Sequence, residues 1–598
     1  MVPCCILVLI ALVALASSWH TNKTFPKSTY GEETLEYWTS DARRTFDQKM
    51  GQRANTDIAK NVILFMGDGM GLSTVTGGRI FGGQQRGFAG EENKLFFENF
   101  PYTGLSRVYS VNDMTPDSAA SGTAYLCGVK TNNGVLGLTG KVLLGNCNES
   151  TKKVNEVESI FTWAQRFGKS TGFVTTDSVV GASPAAGYAH SAHREWYDSV
   201  PAGCSQRDIA MQMLFGDPGE KMTVILGGGR QYFLPVVKQS STTLQGELFS
   251  NFTGTRTDNR NLILEYLIQQ TGQQKDVQFI STRAELKKVD LSHTDRILGL
   301  FQDKGMSFSL GRDYDNPQNK EPRLAEMTEL AIKLLMKSPK GFVLFVEGGN
   351  IDWAHHLNMA AHALNEVVEM DAAIALASKL TSDEDTLTLV TADHSHGFNI
   401  NGYADRETSI TGLSKTEDVV GRRYRIMNYG TGPEPEEYPS LVNRRYSAHS
   451  AEDVAIYAKG PWSHLLVGSV EQTFIAYLVG FASCIGPIKA PVCRDIDDKL
   501  GPTPSWPVPE AYWFVKLTYS MKPSVVFRSD KGDPSLGKKR LYSSQRNRPR
   551  RASRALSNNH NCHNNTNNKH HHRRNKTCLS NNNNNSSSSR THNNKHIT

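Results

Sequence analysis

Ser118 opens a run of small residues in TPDSAASGTAYLCG (115–128), directly behind Pro116 and Asp117. Small residues let a helix N-terminus approach a ligand closely. A serine there has its oxygen near the positive end of the helix dipole, a good position for an anion such as phosphate. The tetrapeptide alone reads more readily as an N-cap serine at a packed helix start. Carboxylates and imidazoles recur elsewhere. Asp352 and His356 in EGGNIDWAHH stand four residues apart, so on a helix they share one face and can hold one cation. Glu347, Asp68 in FMGDGMG, and Asp393 with His394 in TADHSHG each follow or close an apolar run, and His449 lies in YSAHSAEDV. Imidazole with carboxylate suits zinc, and all-oxygen ligation suits magnesium. Singly, a loop histidine is usually solvated and Asp393 reads as a helix cap. Their joint occurrence with a nucleophile candidate is what carries weight.

The elements that must position these groups are the short β-branched runs that end at them. NVILFMGDGMG (61–71), STGFVTTDS (170–178), MTVILGGG (222–229), GFVLFVEGG (341–349), TLTLVTADHSHG (386–397) and DVAIYAKG (453–460) stop at Gly, Asp, Glu or His. Continuous rather than alternating apolar runs suit strands covered on both faces, and helical stretches such as TRAELKKV and EMTELAIKLLMKS lie between them. The expected fold is α/β, a central, mostly parallel sheet flanked by helices on both faces. Its ligands would gather at the C-terminal ends of the strands. Residues 31–55 read as an amphipathic N-terminal arm and 402–447 as a polar insertion.

The ends of the chain differ from its body. Residues 1–18 carry the apolar run and small residues of a secretory signal. No segment has the roughly 20 apolar residues of a spanning helix. From 544 to 598 the sequence is Asn-, Ser-, His- and Arg-rich and reads as a disordered low-complexity tail. The net charge of +7 is misleading, because residues 538–598 hold 14 Lys and Arg and no acid, leaving 52 bases against 59 acids elsewhere. The body therefore offers no electropositive face for nucleic acid. Seven cysteines follow the signal, and in an oxidising compartment some are expected to pair.

Taken in order, MGDGMG, TPDSAASGTAYLCGVK, ASPAAGYAHSAHREWY, LFVEGGNIDWAHH, TADHSHG and AHSAEDVAIYAKGP resemble the animal alkaline phosphatases over residues 31–500. The resemblance implies hydrolysis of phosphate monoesters with Ser118 as nucleophile and Arg194 as phosphate clamp. It implies one zinc ion on Asp352, His356 and His449, a second on Asp68, Ser118, Asp393 and His394, and one magnesium ion on Asp68, Ser183 and Glu347. It further implies disulfides Cys147–Cys204 and Cys484–Cys493, a free Cys127, a crown-like subdomain at 402–447 and a homodimer. A serine hydroxyl is a poor nucleophile at neutral pH, and zinc coordination can deprotonate it without a histidine base.

Departures from the family pattern carry their own expectations. Gly181 stands where animal members usually carry a histidine near the magnesium, which makes that ion's surroundings the least conventional part of the site. Asn350 and Trp353 replace residues that are commonly Arg and His beside the zinc ligands. Gln302 falls where relatives often have a glutamate of a calcium site, so calcium is not expected. Family members are often lipid-anchored through a hydrophobic C-terminal tail. This chain ends in Asn, His and Ser, and is expected to be secreted, with sequons at Asn22, Asn148 and Asn251. A phosphodiesterase or sulfatase would share the metal-binding carboxylates but commonly uses threonine or a modified cysteine. A catalytically inactive surface glycoprotein would not need Ser118 and Arg194.

Overall fold

The computed structural model describes residues 25, 34–236, 253–314, 316, 320–430 and 446–493. The signal segment, Asn22, Asn251 and the 544–598 tail lie outside the described residues. Eight strands enter one large sheet in chain order: β1 (Asn61–Gly67), β2 (Tyr102–Arg107), β3 (Ser170–Ser178), β4 (Val224–Gly228), β5 (Val277–Ile280), β6 (Arg296–Leu300), β7 (Phe342–Gly348) and β8 (Thr386–Ala392). Two more, Val454–Lys459 and Gly468–Glu471, complete it. Across the sheet the order is Gly468–Glu471, β2, Val454–Lys459, β8, β1, β7, β3, β4, β6, β5.

Every residue of β1 is buried, and the reason is visible in its side-chain parity. Val62, Leu64 and Met66 enter one core while Ile63 and Phe65 enter the core on the opposite face. Each such burial contributes about 1.5–3 kcal/mol. This is why the strand reads as an unbroken apolar run. Register then aligns the strand ends. Gly67 pairs with Gly348 of β7 and with Ala392 of β8, and Glu347 pairs with both Met66 and Thr175 of β3. Asp68, Glu347 and Asp393 are thereby brought to one edge.

The apolar run at 453–460 departs from a purely parallel arrangement. Val454–Lys459 pairs antiparallel with both β8 and β2. Reversal carries its N-terminal end to the edge where the parallel strands finish, and His449 arrives with it through a short bridge to His396.

The 31–55 arm contains the helix Leu35–Met50, capped by the Thr34 side chain, with no buried residue. Within 402–447, Leu413–Glu417 pairs with Arg423–Arg425, and Met427–Tyr429 pairs with Phe398–Ile400; residues 431–445 lie outside the described set. Disulfides join Cys147 to Cys204 and Cys484 to Cys493, and Cys127 is free and buried. No helix among the described residues is long and apolar enough to cross a membrane.

Candidate active site

The helix Ser118–Cys127 begins where the sequence placed it and is buried along its whole length. Asp117 caps it: one carboxylate oxygen accepts from the Ala120 backbone N–H at 3.0 Å. Gly128 ends it in the left-handed conformation, φ 73°, that favours glycine. The second Asp117 oxygen accepts from Arg194 Nη1 at 3.0 Å. Burial opposes the Arg194 charge, but Asp117 outweighs it and holds the guanidinium pKa above its usual value. The arginine is thus fixed one residue from Ser118.

Ser118 Oγ lies 3.3 Å from His394 Nε2. That nitrogen also faces Asp393 Oδ2 at 3.1 Å and Asp68 Oδ1 at 3.6 Å. His394 Nδ1 is turned toward the Ser395 carbonyl at 3.2 Å, which assigns the ring proton to Nδ1 and leaves Nε2 with a lone pair. Asp393 Oδ1 accepts from the backbone N–H groups of Gly69 (2.9 Å) and His394 (2.8 Å), and Oδ2 accepts from Ser121 Oγ (3.2 Å).

A second cluster adjoins the first. His356 Nδ1 meets the Ser447 carbonyl at 2.9 Å and His449 Nδ1 meets the Pro116 carbonyl at 3.0 Å. By the same reasoning their Nε2 atoms carry lone pairs, yet these lie 3.0 Å apart, with Asp352 oxygens 3.3 and 3.4 Å away. Imidazoles held by a carbonyl at one ring nitrogen, with the other converging on carboxylate oxygens, form the arrangement that suits a metal cation. Asp352, His394, His396 and His449 offer ligand atoms within 4.8 Å of one another, as do Asp68, Asp393 and His394.

Glu347 and Ser183 form the third group. Glu347 accepts from the Thr175 hydroxyl. Ser183 Oγ and Asp68 Oδ1 are buried without a hydrogen-bond partner among the described residues, the condition expected of atoms that ligate an ion. Electrostatics agree. Burial, then the charge of Asp393, pushes Asp68 well above the carboxylate range. Burial raises Asp393 to about 6, and burial with the Asp177 charge raises Glu347 to about 8. Asp352 goes the other way, because His396 and His356 overcome its burial. Burial and neighbouring His449 keep His394 neutral.

All nine metal-site residues read from the sequence therefore gather at one edge, together with Arg194. Asn148 is exposed on the short helix Cys147–Ser150. Asn350 turns inward, donating to the Met306 carbonyl at 3.0 Å, while Trp353 stays exposed at the mouth. Two residues went unread. His396 contacts Asp352 Oδ1 through Nε2, and its signal was the second histidine of DHSH. Asp177 is the penultimate residue of β3, in TTDS, and gave no signal of its own.

Comparison with known proteins agrees with this geometry. The alkaline phosphatase family model matches residues 59–485. The tissue-nonspecific isozyme of alkaline phosphatase from Felis catus is 40% identical over 521 residues, spanning 82% of this chain and 96% of that protein. Among solved structures, alkaline phosphatase from the Antarctic bacterium TAB5 superposes with a TM-score of 0.52 at 25% identity, over 72% of this chain and 100% of that one. A mutant of that enzyme with Mg bound in its M3 site matches with a TM-score of 0.51 at 26% identity, covering 72% and 99%. A buried serine beside a fixed arginine and two clusters of converging imidazoles and carboxylates thus sit within a match that runs through nearly the whole sheet, and the chain belongs to the alkaline phosphatase family.

Proposed function

We propose that this phosphatase hydrolyses phosphate monoesters to an alcohol and inorganic phosphate through a phosphoserine at Ser118. The observation that carries the reading is Ser118 Oγ at the start of a buried helix, 3.3 Å from a lone-pair nitrogen of His394. Asp352, His356 and His449 would hold one zinc ion, Asp68, Ser118, Asp393 and His394 a second, and Asp68, Ser183 and Glu347 a magnesium ion, with Asp68 shared. The converging Nε2 atoms and the orphaned oxygens of Asp68 and Ser183 support that fit. Bound there, the ions supply Lewis acidity that lowers the pKa of a serine hydroxyl and of water and neutralises charge on a departing oxygen.

The residues do the rest. Ser118 Oγ attacks phosphorus as the alcohol oxygen leaves from the opposite side. Arg194 offers a planar fork to two phosphate oxygens, which lysine would not reproduce. Asp117 keeps that fork aimed, and the helix N-terminus favours the anion. Water then attacks the phosphoserine, releasing phosphate and restoring the hydroxyl. The catalytic domain spans 31–500, with 402–447 as a crown-like insertion. Exposed Leu35, Trp38, Phe46 and Met50 on the arm helix favour a homodimer in which this helix is covered. The 1–18 segment and the exposed Asn148 support secretion as a glycoprotein.

The test is hydrolysis of p-nitrophenyl phosphate from neutral to alkaline pH with zinc and magnesium supplied. Ser118→Ala and chelation should each lower kcat/KM by about 10³-fold or more. Undiminished activity in Ser118→Ala, or folded, metal-loaded wild type without activity, would overturn the reading.

A further inference from the structure

Three glycines from three separate segments leave room for one carboxylate. Gly181 follows β3, Gly305 follows β6 and Gly349 follows β7. A Cβ at position 181 would lie 2.8 Å from the Ser178 carbonyl oxygen and 3.0 Å from Asp177 Oδ2, one at 305 would lie 2.5 Å from Asp177 Oδ1, and one at 349 would lie 2.7 Å from Asp177 Cβ. That last point is also 3.5 Å from the Glu347 carboxyl carbon, so the two acids are neighbours. Arg194, the nearby cation, is engaged by Asp117 instead. Beside the acid pair lie Ser183 Oγ, in a side chain that is 1% exposed, and Asp68 Oδ1, both without a hydrogen-bond partner among the described residues. Like charges and orphaned oxygens enclosed together are unfavourable unless a proton or a cation neutralises them, and a cation would also engage the orphaned oxygens.

We infer that Asp177 occupies the space a side chain at position 181 would fill and serves as a further carboxylate of the Asp68, Ser183 and Glu347 pocket, biasing it toward a hard divalent cation such as magnesium. The inference rests on the third-cation reading given above. Asp177 adds negative charge and oxygen donors without adding an imidazole, and oxygen-only surroundings suit magnesium better than zinc. The glycine at 181 leaves that space open to the acid from four residues earlier, and to the Ser178 carbonyl, which a Cβ there would also crowd.

Magnesium titration of zinc-loaded, magnesium-stripped protein tests this, comparing wild type with Asp177→Asn and Glu347→Gln, each also melted in EDTA and in saturating Mg2+. Asp177→Asn should weaken magnesium binding by about 10–100-fold, a typical effect of losing a supporting group around a metal. Its zinc content should be unchanged, its magnesium-induced rise in Tm smaller, and its Tm in EDTA no lower than wild type, since a like charge is gone. Magnesium affinity within twofold of wild type in Asp177→Asn, with Glu347→Gln losing magnesium, would overturn the role of Asp177 and leave the third-cation reading standing. Unchanged affinity in Glu347→Gln as well would overturn both. An equal loss of Tm in EDTA and in Mg2+ with unchanged affinity would make Asp177 a packing residue only.

Discussion

Replacing Asp117 by alanine and by asparagine separates its two duties. One oxygen caps the helix through Ala120 N–H at 3.0 Å and the other receives Arg194 at 3.0 Å. Alanine loses both. Asparagine keeps an acceptor oxygen for the cap, where it is as good as aspartate, but turns an amide toward a guanidinium that it cannot bind. Loss of the cap costs about 1 kcal/mol, which in a domain this large lowers Tm by no more than about 2–4 °C. Loss of the charged hydrogen bond removes about 1.5 kcal/mol of Arg194 positioning, the low end for such bonds because both partners are partly exposed. That corresponds to roughly tenfold in phosphate affinity. Inhibition of p-nitrophenyl phosphate hydrolysis by inorganic phosphate, measured beside thermal melting, reads both. Both variants should show an inhibition constant raised about tenfold, while only alanine lowers Tm. An asparagine variant with wild-type phosphate inhibition would refute the claim that Asp117 aims Arg194.

Metal-free protein should lose stability between pH 7 and 8. Burial holds the folded Glu347 pKa at about 8, above its ordinary 4.5, so the folded state binds more protons than the unfolded state and stability falls as pH rises through that window. The buried histidines kept neutral act in the opposite sense, but below about pH 7, where the unfolded chain would protonate them. Tm in EDTA should therefore fall from pH 7 to 8, and Glu347→Gln or added cations should flatten the slope; a rise that Glu347→Gln leaves untouched would contradict it. Truncation of residues 31–55 should convert a dimer to a monomer in light scattering, and a truncated chain that stays dimeric would remove the arm from the interface.

Much of the site was legible because buried parallel strands write themselves plainly. NVILFMG, GFVLFVEGG and TLTLVTA are continuous apolar runs, and each delivers its polar terminus to the same edge. The direction of Val454–Lys459 was not legible, since an apolar run on a doubly covered sheet has no polarity in its pattern. Nor were β2, β5 and the Gly468–Glu471 strand, most of whose residues are half-buried or exposed, or the five-residue β6. Asp177 was hidden for a different reason. Nothing in TTDS marks it, and the signal is the absence of side chains at 181, 305 and 349, positions linked only by the fold. His396 was closer to view, but its role depends on which way Asp352 faces.

The sheet order also fixes when the site can exist during synthesis. β2 reaches the rest of the sheet through Val454–Lys459, with Gly468–Glu471 on its outer side, so a strand made early must wait for strands made late. The same late segment delivers His449, whose ring nitrogen rests on the carbonyl of Pro116, two residues before Ser118. A nascent chain that has not passed this segment holds the nucleophile but neither its flanking strand nor the last imidazole. Long-range closure of this kind is slow to form. Completion of the candidate site therefore waits on the segment from His449 to Glu471, made long after Ser118.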